Sequence, residues 1–358
     1  MTGEGDLDRA VATATDHLLK ARDRGGLWSD FRTEAGHSDE WVSGFVACAL
    51  AQTGDVDDPI AVTLETLLGR QRKNGGWSYN RSIPADCDST AWVLMALSLF
   101  PGQRPSVMER GLRFLRSHQD AARGGFCTYC ASDGIHKVIG APRESAIDGW
   151  LHSQPCVTGV ALQTTLLLGQ PAHSRMVDAA AAYLVRERRA SGTWPSYWWK
   201  GYAYSTYHSL KALCMAGRLN KESANVTVRH LLVSQRPDGG WSDGGEDSEV
   251  FATAFCLLSL LLFPELGVLK AAASGMSWLM ERQDANGAWP TSPILRIPAP
   301  MESKPEGMTA DSWRVMQRGT GKIVTDWAAV YTSAAALWAL SSYRRLYGNK
   351  NTSRWSDQ

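Results

Sequence analysis

The chain has almost no charge excess. Its 37 Lys and Arg against 36 Asp and Glu leave a formal net charge of +1, so nothing points to a polyanionic partner such as nucleic acid. It also has no apolar run long enough for a bilayer: Phe251 to Phe263, the longest, falls short of the ~20 residues a spanning helix needs and reads as a buried helix. Met1 to Asp8 is polar and acidic, unlike a secretory leader. The seven cysteines are odd in number and form no framework-like spacing, which suits reduced thiols in a cytoplasm. No basic amphipathic helix demands a membrane surface, although an apolar substrate would allow weak peripheral contact. No segment sustains period-two alternation, so almost no sheet is expected. A Gly-rich phosphate loop, a nucleophile elbow and an HExxH pair are all missing.

Tryptophan is abundant instead, with 15 Trp against 8 Phe and 10 Tyr. Much of it falls in one recurring turn, glycine two residues before an aromatic: Trp28, Trp77, Phe126, Trp194, Trp241 and Trp289, at intervals of 49, 49, 68, 47 and 48. A near-fixed period of this size marks a repeat architecture. Before each turn lies an amphipathic helix, as in Ile60–Gln71 and Val226–Gln235. After it comes a helix apolar on most faces: Trp41–Ala51, Thr90–Leu99, Val157–Leu168, Ser205–Met215, Val250–Leu262 and Ala328–Leu340. Helices apolar all round are buried. Six such pairs predict an all-α fold, a single (α/α)6 barrel, or toroid, occupying residues 1–358 as one unit. Two units carry insertions, 127–155 and the Pro-rich 290–325. Long loops on a compact fold often serve as lids or binding loops.

In such a ring the inner-helix N-termini gather at one mouth. Asp39, Asp247 and Asp326 there need be no more than caps. Asp86 and Asp88, in Asp86-Cys87-Asp88-Ser89-Thr90, exceed what one cap requires. Two carboxylates in an apolar cavity repel, and one then tends to keep its proton, as a general acid must. Aromatic faces stabilise cations without attacking them. A dense aromatic run, Trp194 to Tyr207, sits at the same mouth. Asp88, Asp86 and Ser89 are therefore the candidate catalytic residues. Trp194, Trp198, Tyr202 and Tyr204 are candidates to line a cationic path, with Trp41, Cys156, Trp327 and Tyr331 at or just inside three other inner-helix starts.

These turns resemble the repeats of the squalene–hopene and oxidosqualene cyclase family. Gln235-Arg236-Pro237-Asp238-Gly239-Gly240-Trp241 is similar to a complete family repeat. Lys73 through Ala91 resembles the segment ending in Asp-x-Asp-Asp-Thr-Ala, and Gly192 through Thr206 resembles Gly-Ser-Trp…Tyr-x-Tyr-Gly-Thr. The resemblance runs from about Leu64 to the C-terminus. It implies a class II terpene cyclase: Asp88 protonates an alkene or epoxide, Asp86 and Ser89 tune it, and cationic ring closure follows. Ser89 stands where hopene cyclases have a third Asp, as in oxidosqualene cyclases, which would favour a more easily protonated substrate such as an epoxide. Val160 stands where hopene cyclases carry a His that bonds the acid, and Cys156 or Cys87 is the implied substitute. The implied substrate is an apolar isoprenoid or a prenylated compound. No cofactor is implied, except magnesium for a diphosphate, whose head group Arg81, Lys137, Arg143 or Lys200 would have to meet.

Family members of this type close the cavity between two rings. Here the insertions, a partner chain or a second copy of this chain would have to do so, or the pocket stays open. Two other readings stay available, a non-catalytic isoprenoid-binding toroid and a prenyltransferase-like subunit. The pair Cys127-x-x-Cys130, with His118 and His136 nearby, is a weak zinc pattern, and no metal is expected. His208, on the fourth inner helix, reads as a core hydrogen-bonding residue.

Overall fold

The structure, a computed structural model, describes residues 4–54, 57–100, 104–307 and 319–348. The ends of the expected unit and residues 308–318 of the second insertion lie outside them. Six helix pairs follow one another. They are α1 (Glu4–Lys20) with α2 (Glu40–Leu50), and α3 (Asp57–Gly69) with α4 (Cys87–Leu99). Next comes α5 (Pro105–Ser117), followed by the short α6 (Ile135–Val138) and α7 (Asp148–Leu151) and then its partner α8 (Pro155–Leu167). The last three pairs are α9 (Arg175–Glu187) with α10 (Ala203–Met215), α11 (Lys221–Ser234) with α12 (Val250–Leu261), and α13 (Leu269–Glu281) with α14 (Val330–Tyr347).

The second member of each pair is an inner helix. Each inner helix packs on the next, and α14 packs on both α12 and α2, so the ring closes. Burial follows the patterning. All of α12 is buried, whereas α5 buries only one stripe, including Val107, Met108, Phe114 and Leu115. Gly44 and Gly159 let neighbouring inner helices touch closely, since a Cβ at either would come 2.8 Å from backbone of Trp92 or His208.

The repeated turn is one hydrogen-bonded device used six times. Its glycine, two residues before the aromatic, adopts φ between 80° and 95°, a region glycine enters at little cost. The aromatic N–H donates to a hydroxyl on the fourth residue of the following inner helix: Ser43, Thr90, Thr158, Thr206, Thr253 or Ser333. Each of the five Trp indoles also donates to the carbonyl ten residues earlier, near the end of the outer helix. Gln71, Gln119, Gln235 and Gln283 each tie their turn to the next outer helix, and Gln283 reaches Ala10 to join the last unit to the first.

The sheet content is small but not nil. Strands β1 (Asp30–Thr33) and β2 (Gly36–Ser38) form one antiparallel hairpin, and β3 (Pro293–Ile297) and β4 (Lys322–Thr325) form another inside the second insertion. That second hairpin is pinned to the aromatic run: Arg296 N–H donates to Trp198 O at 2.7 Å and Lys200 N–H to Ile294 O at 2.8 Å. Among the described residues no helix is long and apolar enough to cross a membrane.

Replacing Thr253 with Val keeps the shape of the side chain and strands the buried Trp241 N–H. The expected loss is about 1–3 kcal/mol, read as a lower urea midpoint, with Thr253→Ser costing less. Equal midpoints for Val and Ser would mean the hydroxyl is not what holds the turn.

Candidate active site

A cavity of about 620 Å³ opens at the N-terminal mouth of the ring. Its walls come from loops rather than from the barrel. The β1–β2 turn contributes Thr33 and Glu34, the first insertion contributes Tyr129, Ile135, Ile139 and Trp150, and the second contributes Leu295, Ile297 and Thr320. The two insertions thus form much of the enclosure. Trp41, Trp198 and Trp199 supply aromatic faces, and Asp86, Asp88 and Ser89 supply the acids and a hydroxyl.

The two carboxylates stand in different surroundings. Asp86 is the N-cap of α4. It accepts hydrogen bonds from Ser89 N and Ser89 Oγ, both at 2.7 Å, and from Tyr79 N at 3.2 Å. Burial lifts its pKa to about 6, and the Ser89 bonds hold it down from rising further. Asp88 is part-buried at the cavity wall, and its buried Oδ1 has no hydrogen-bond partner. Burial first, and the Asp86 charge second, raise its pKa well above the carboxylate range. The pair therefore places its charge on Asp86, where donors stabilise it, and its proton on Asp88. Ser89 acts as a donor to Asp86, which accounts for a hydroxyl at that position.

Several expected lining residues take that place and others do not. Trp41 and Trp198 line the cavity. Trp198 Nε1 donates to Thr128 Oγ1 at 2.6 Å, which fixes its plane. Tyr204 and Tyr331 lie beneath this layer, fully buried. Tyr204 is 4.5 Å from Trp199 ring to ring, and Tyr331 is 5.2 Å from Trp41. Cys156 is buried at the start of α8, near enough that the Asp88 charge contributes to raising its thiol to about 11, after burial itself. Cys87 is likewise buried, its pKa raised by burial and then by Asp88.

Three expectations need correcting. Trp194 belongs to the repeated turn, with its indole bonded to Leu184 O at 2.6 Å, and does not reach the cavity. Tyr202 turns outward, its hydroxyl 3.4 Å from Ser234 Oγ on α11. Trp327 is 54% exposed and packs on His37 outside the cavity.

Other residues were missed. Tyr129, Trp150, Tyr79 and Trp199 all line the cavity. Tyr129 is buried close enough to Asp86 and Asp88 to feel both charges, which add to the larger effect of burial in raising its phenol. It sits in an insertion, where no repeat position flags it. Val160 is fully buried on α8. Of the bases considered for a diphosphate, none lines the cavity among the described residues. Lys200 pairs with Glu249 at 2.5 Å. His208 bonds Gln163 Nε2 at 3.1 Å within the core.

Comparison with known proteins agrees with this geometry. Residues 70–295 match the profile of the squalene-hopene cyclase C-terminal domain. The chain is 27% identical over 288 residues to a squalene–hopene cyclase of Zymomonas mobilis, covering 70% of this chain and 43% of that protein. It is 24% identical over 254 residues to a drimenyl diphosphate synthase of Streptomyces showdoensis, covering 68% and 44% respectively. The chain thus spans less than half the length of these curated relatives. Among solved structures it superposes on a variant of the type II terpene cyclase MstE from Scytonema bound to the product merosterolic acid A. The TM-score is 0.86 at 27% identity, over 96% of this chain and 98% of that one. Another variant of the same enzyme, bound to the substrate geranylgeranyl dihydroxybenzoate, gives 0.85 at 27% identity, over 96% and 99%.

A buried acid that keeps its proton has a signature in stability. Below its ordinary value of 3.8, Asp88 is protonated both folded and unfolded. As pH rises above that value the unfolded chain sheds the proton while the folded chain holds it, so stability falls until the raised folded value is passed. Asp88→Asn removes that slope. Urea unfolding at ~pH 4 and ~pH 8 should show the variant gaining on the parent at the higher pH. A difference that does not change with pH would contradict a proton held on Asp88.

Proposed function

The chain belongs to the squalene–hopene cyclase C-terminal domain family, and on that premise we propose that it is a class II terpene cyclase, formed by residues 1–358 as one toroid. The observation that carries this reading is the unpartnered, cavity-facing Asp88 beside a hydrogen-bonded Asp86. Asp88 donates its proton to a terminal alkene or epoxide of a folded isoprenoid chain. A tertiary cation forms, and neighbouring double bonds close rings onto it. Trp41, Trp198 and Trp199 offer the cation π faces and no nucleophile. Loss of a different proton ends the sequence, so an unhydrated product is an isomer of its substrate, and Asp88 is reprotonated.

The head group is read from charge. Among the described lining residues Glu34, Asp86 and Asp88 bear carboxyl groups, and no Lys, Arg or His joins them. This favours an isoprenoid without a diphosphate, such as a prenylated arene of the kind bound by MstE. Magnesium then has no role in substrate binding. The insertions supply walls within one chain, so neither a partner chain nor a homodimer is needed to enclose the substrate. Such a substrate is drawn from membranes, for which weak peripheral contact suffices.

Mass spectrometry of products tests this. Purified protein and Asp88→Asn are incubated with linear isoprenoids that are free, diphosphorylated, terminally epoxidised or attached to a dihydroxybenzoate. The parent should give a product of unchanged mass and altered retention. One formed in D2O from an alkene should carry one carbon-bound deuterium, whereas an epoxide places the proton on an exchangeable hydroxyl. The variant should lose at least a thousandfold in rate. If both proteins bind a compound and neither converts it, the chain is a binding toroid for that class.

A further inference from the structure

Behind the acid pair lies a group that the cyclisation does not use. His118, at the C-cap of α5, is almost fully buried. Its Nε2 lies 2.9 Å from Asp133 Oδ2, and its Nδ1 lies 3.0 Å from the Phe114 carbonyl. Cys130 completes the cluster. The His118 ring nitrogen, the Cys130 sulfur and the Asp133 oxygen all fall within 4.8 Å of one another. We propose that His118, Cys130 and Asp133 form a zinc-class divalent metal site that clamps the first insertion behind the acid.

The ligand set and its surroundings fit such an ion. Nitrogen, thiolate sulfur and carboxylate oxygen are the donors zinc takes, and bonds of about 2.0–2.3 Å set tetrahedral ligands roughly 3.3–3.8 Å apart. A carbonyl only accepts, so Phe114 O fixes a proton on Nδ1 and turns Nε2 towards the cluster. A metal-bound histidine is commonly oriented in this way. Asp133 Oδ2 is aimed by Cys130 N–H at 2.6 Å. Cys130 and Asp133 come from one tight turn, Ala131–Asp133 with Cys130 as its cap. Both are only half-buried, which leaves an ion a way in.

The exchange also balances in charge. Without metal, both ring nitrogens face acceptors, so the cluster reads as imidazolium, carboxylate and thiol, neutral in sum. A divalent ion replaces the Nε2 proton and the thiol proton, and imidazole, carboxylate, thiolate and metal again sum to zero. Burying the ion therefore adds no uncompensated charge.

The position gives the site its use. Cys127 N–H donates to His118 O at 3.0 Å, and Cys87 N–H, at the start of α4, donates to Thr128 O at 2.9 Å. The segment from Cys127 to Cys130 is thus sewn to α5 on one side and to the acid-bearing helix on the other. Tyr129, which lines the cavity, lies between them. A metal at Cys130 would hold that tyrosine against the acid pair. Cys127 is not part of the set, since its sulfur faces Ser153 Oγ at 3.9 Å.

Titration of the reduced, chelator-treated protein with cobalt(II) tests the proposal directly. A thiolate-to-cobalt charge-transfer band should rise to one equivalent and be displaced by zinc. Cys130→Ser should abolish it, Asp133→Asn should weaken binding at least tenfold, and Cys127→Ser should leave it unchanged. Zinc should also raise the Tm of the parent but not of Cys130→Ser. No band in the parent, or a band that survives Cys130→Ser, overturns the site and leaves a histidine–aspartate ion pair. Neither result depends on whether the protein cyclises anything, so failure here and failure of the cyclase reading stay distinguishable.

Discussion

A carboxylic acid can protonate an alkene near neutral pH only if its conjugate base is made costly. The position of Asp88 works both ways in this respect. It lies in the first turn of α4, where the helix dipole favours a negative charge by about 0.3–1 kcal/mol. Withdrawal from water disfavours the same charge by several kcal/mol per ion. Burial wins, and it wins because Asp86 has already taken the donors. With Ser89 N, Ser89 Oγ and Tyr79 N all directed at Asp86, the negative charge has a better place to sit one turn edge away. Thr90, the next residue, bonds Trp77 on both its N–H and C=O sides. The repeat device that builds the ring therefore also fixes the helix start on which the acid depends.

Features that recur or stand alone were legible in the sequence. The aromatic turn recurs at a near-fixed interval because every unit ties its turn to the following inner helix in the same way, so six inner and six outer helices could be counted and the ring inferred. The doubled acid stood out because one cap needs one carboxylate. What could not be read was direction. Trp194 looks like part of the aromatic run, yet it obeys the repeat and spends its indole on Leu184. Tyr202 and Tyr204 are two residues apart at a helix start, so they project to different sides, one towards α11 and one towards the ring axis. The hairpins were invisible because strands of three to five residues are too short to show alternation. Tyr129 and Trp150 sit in an insertion that matches no other unit, so periodicity carries no information about them.

The proposed cyclisation makes a further demand on the aromatic floor, that its rings hold their places. Phe31 and Ala329 both adopt the left-handed region, with φ of 48° and 54°, at a cost of order 1–3 kcal/mol each. One buried carboxylate lies between these strained residues. Asp30 accepts N–H bonds from Phe31 at 3.0 Å, from Ala328 at 3.1 Å and from Tyr331 at 3.0 Å. These three bonds hold both strained segments in place, although burial of Asp30 outweighs them and raises its pKa. The result sets Phe31 5.3 Å from both Trp41 and Tyr331, ring to ring. Asp30 belongs to the first unit and Tyr331 to the sixth, so this floor exists only once the ring has closed. The acid comes from the second unit and the covering walls from the first, third and sixth. A ring interrupted between these units would separate Asp88 from the aromatic floor, so the proposed cyclisation depends on closure of the toroid.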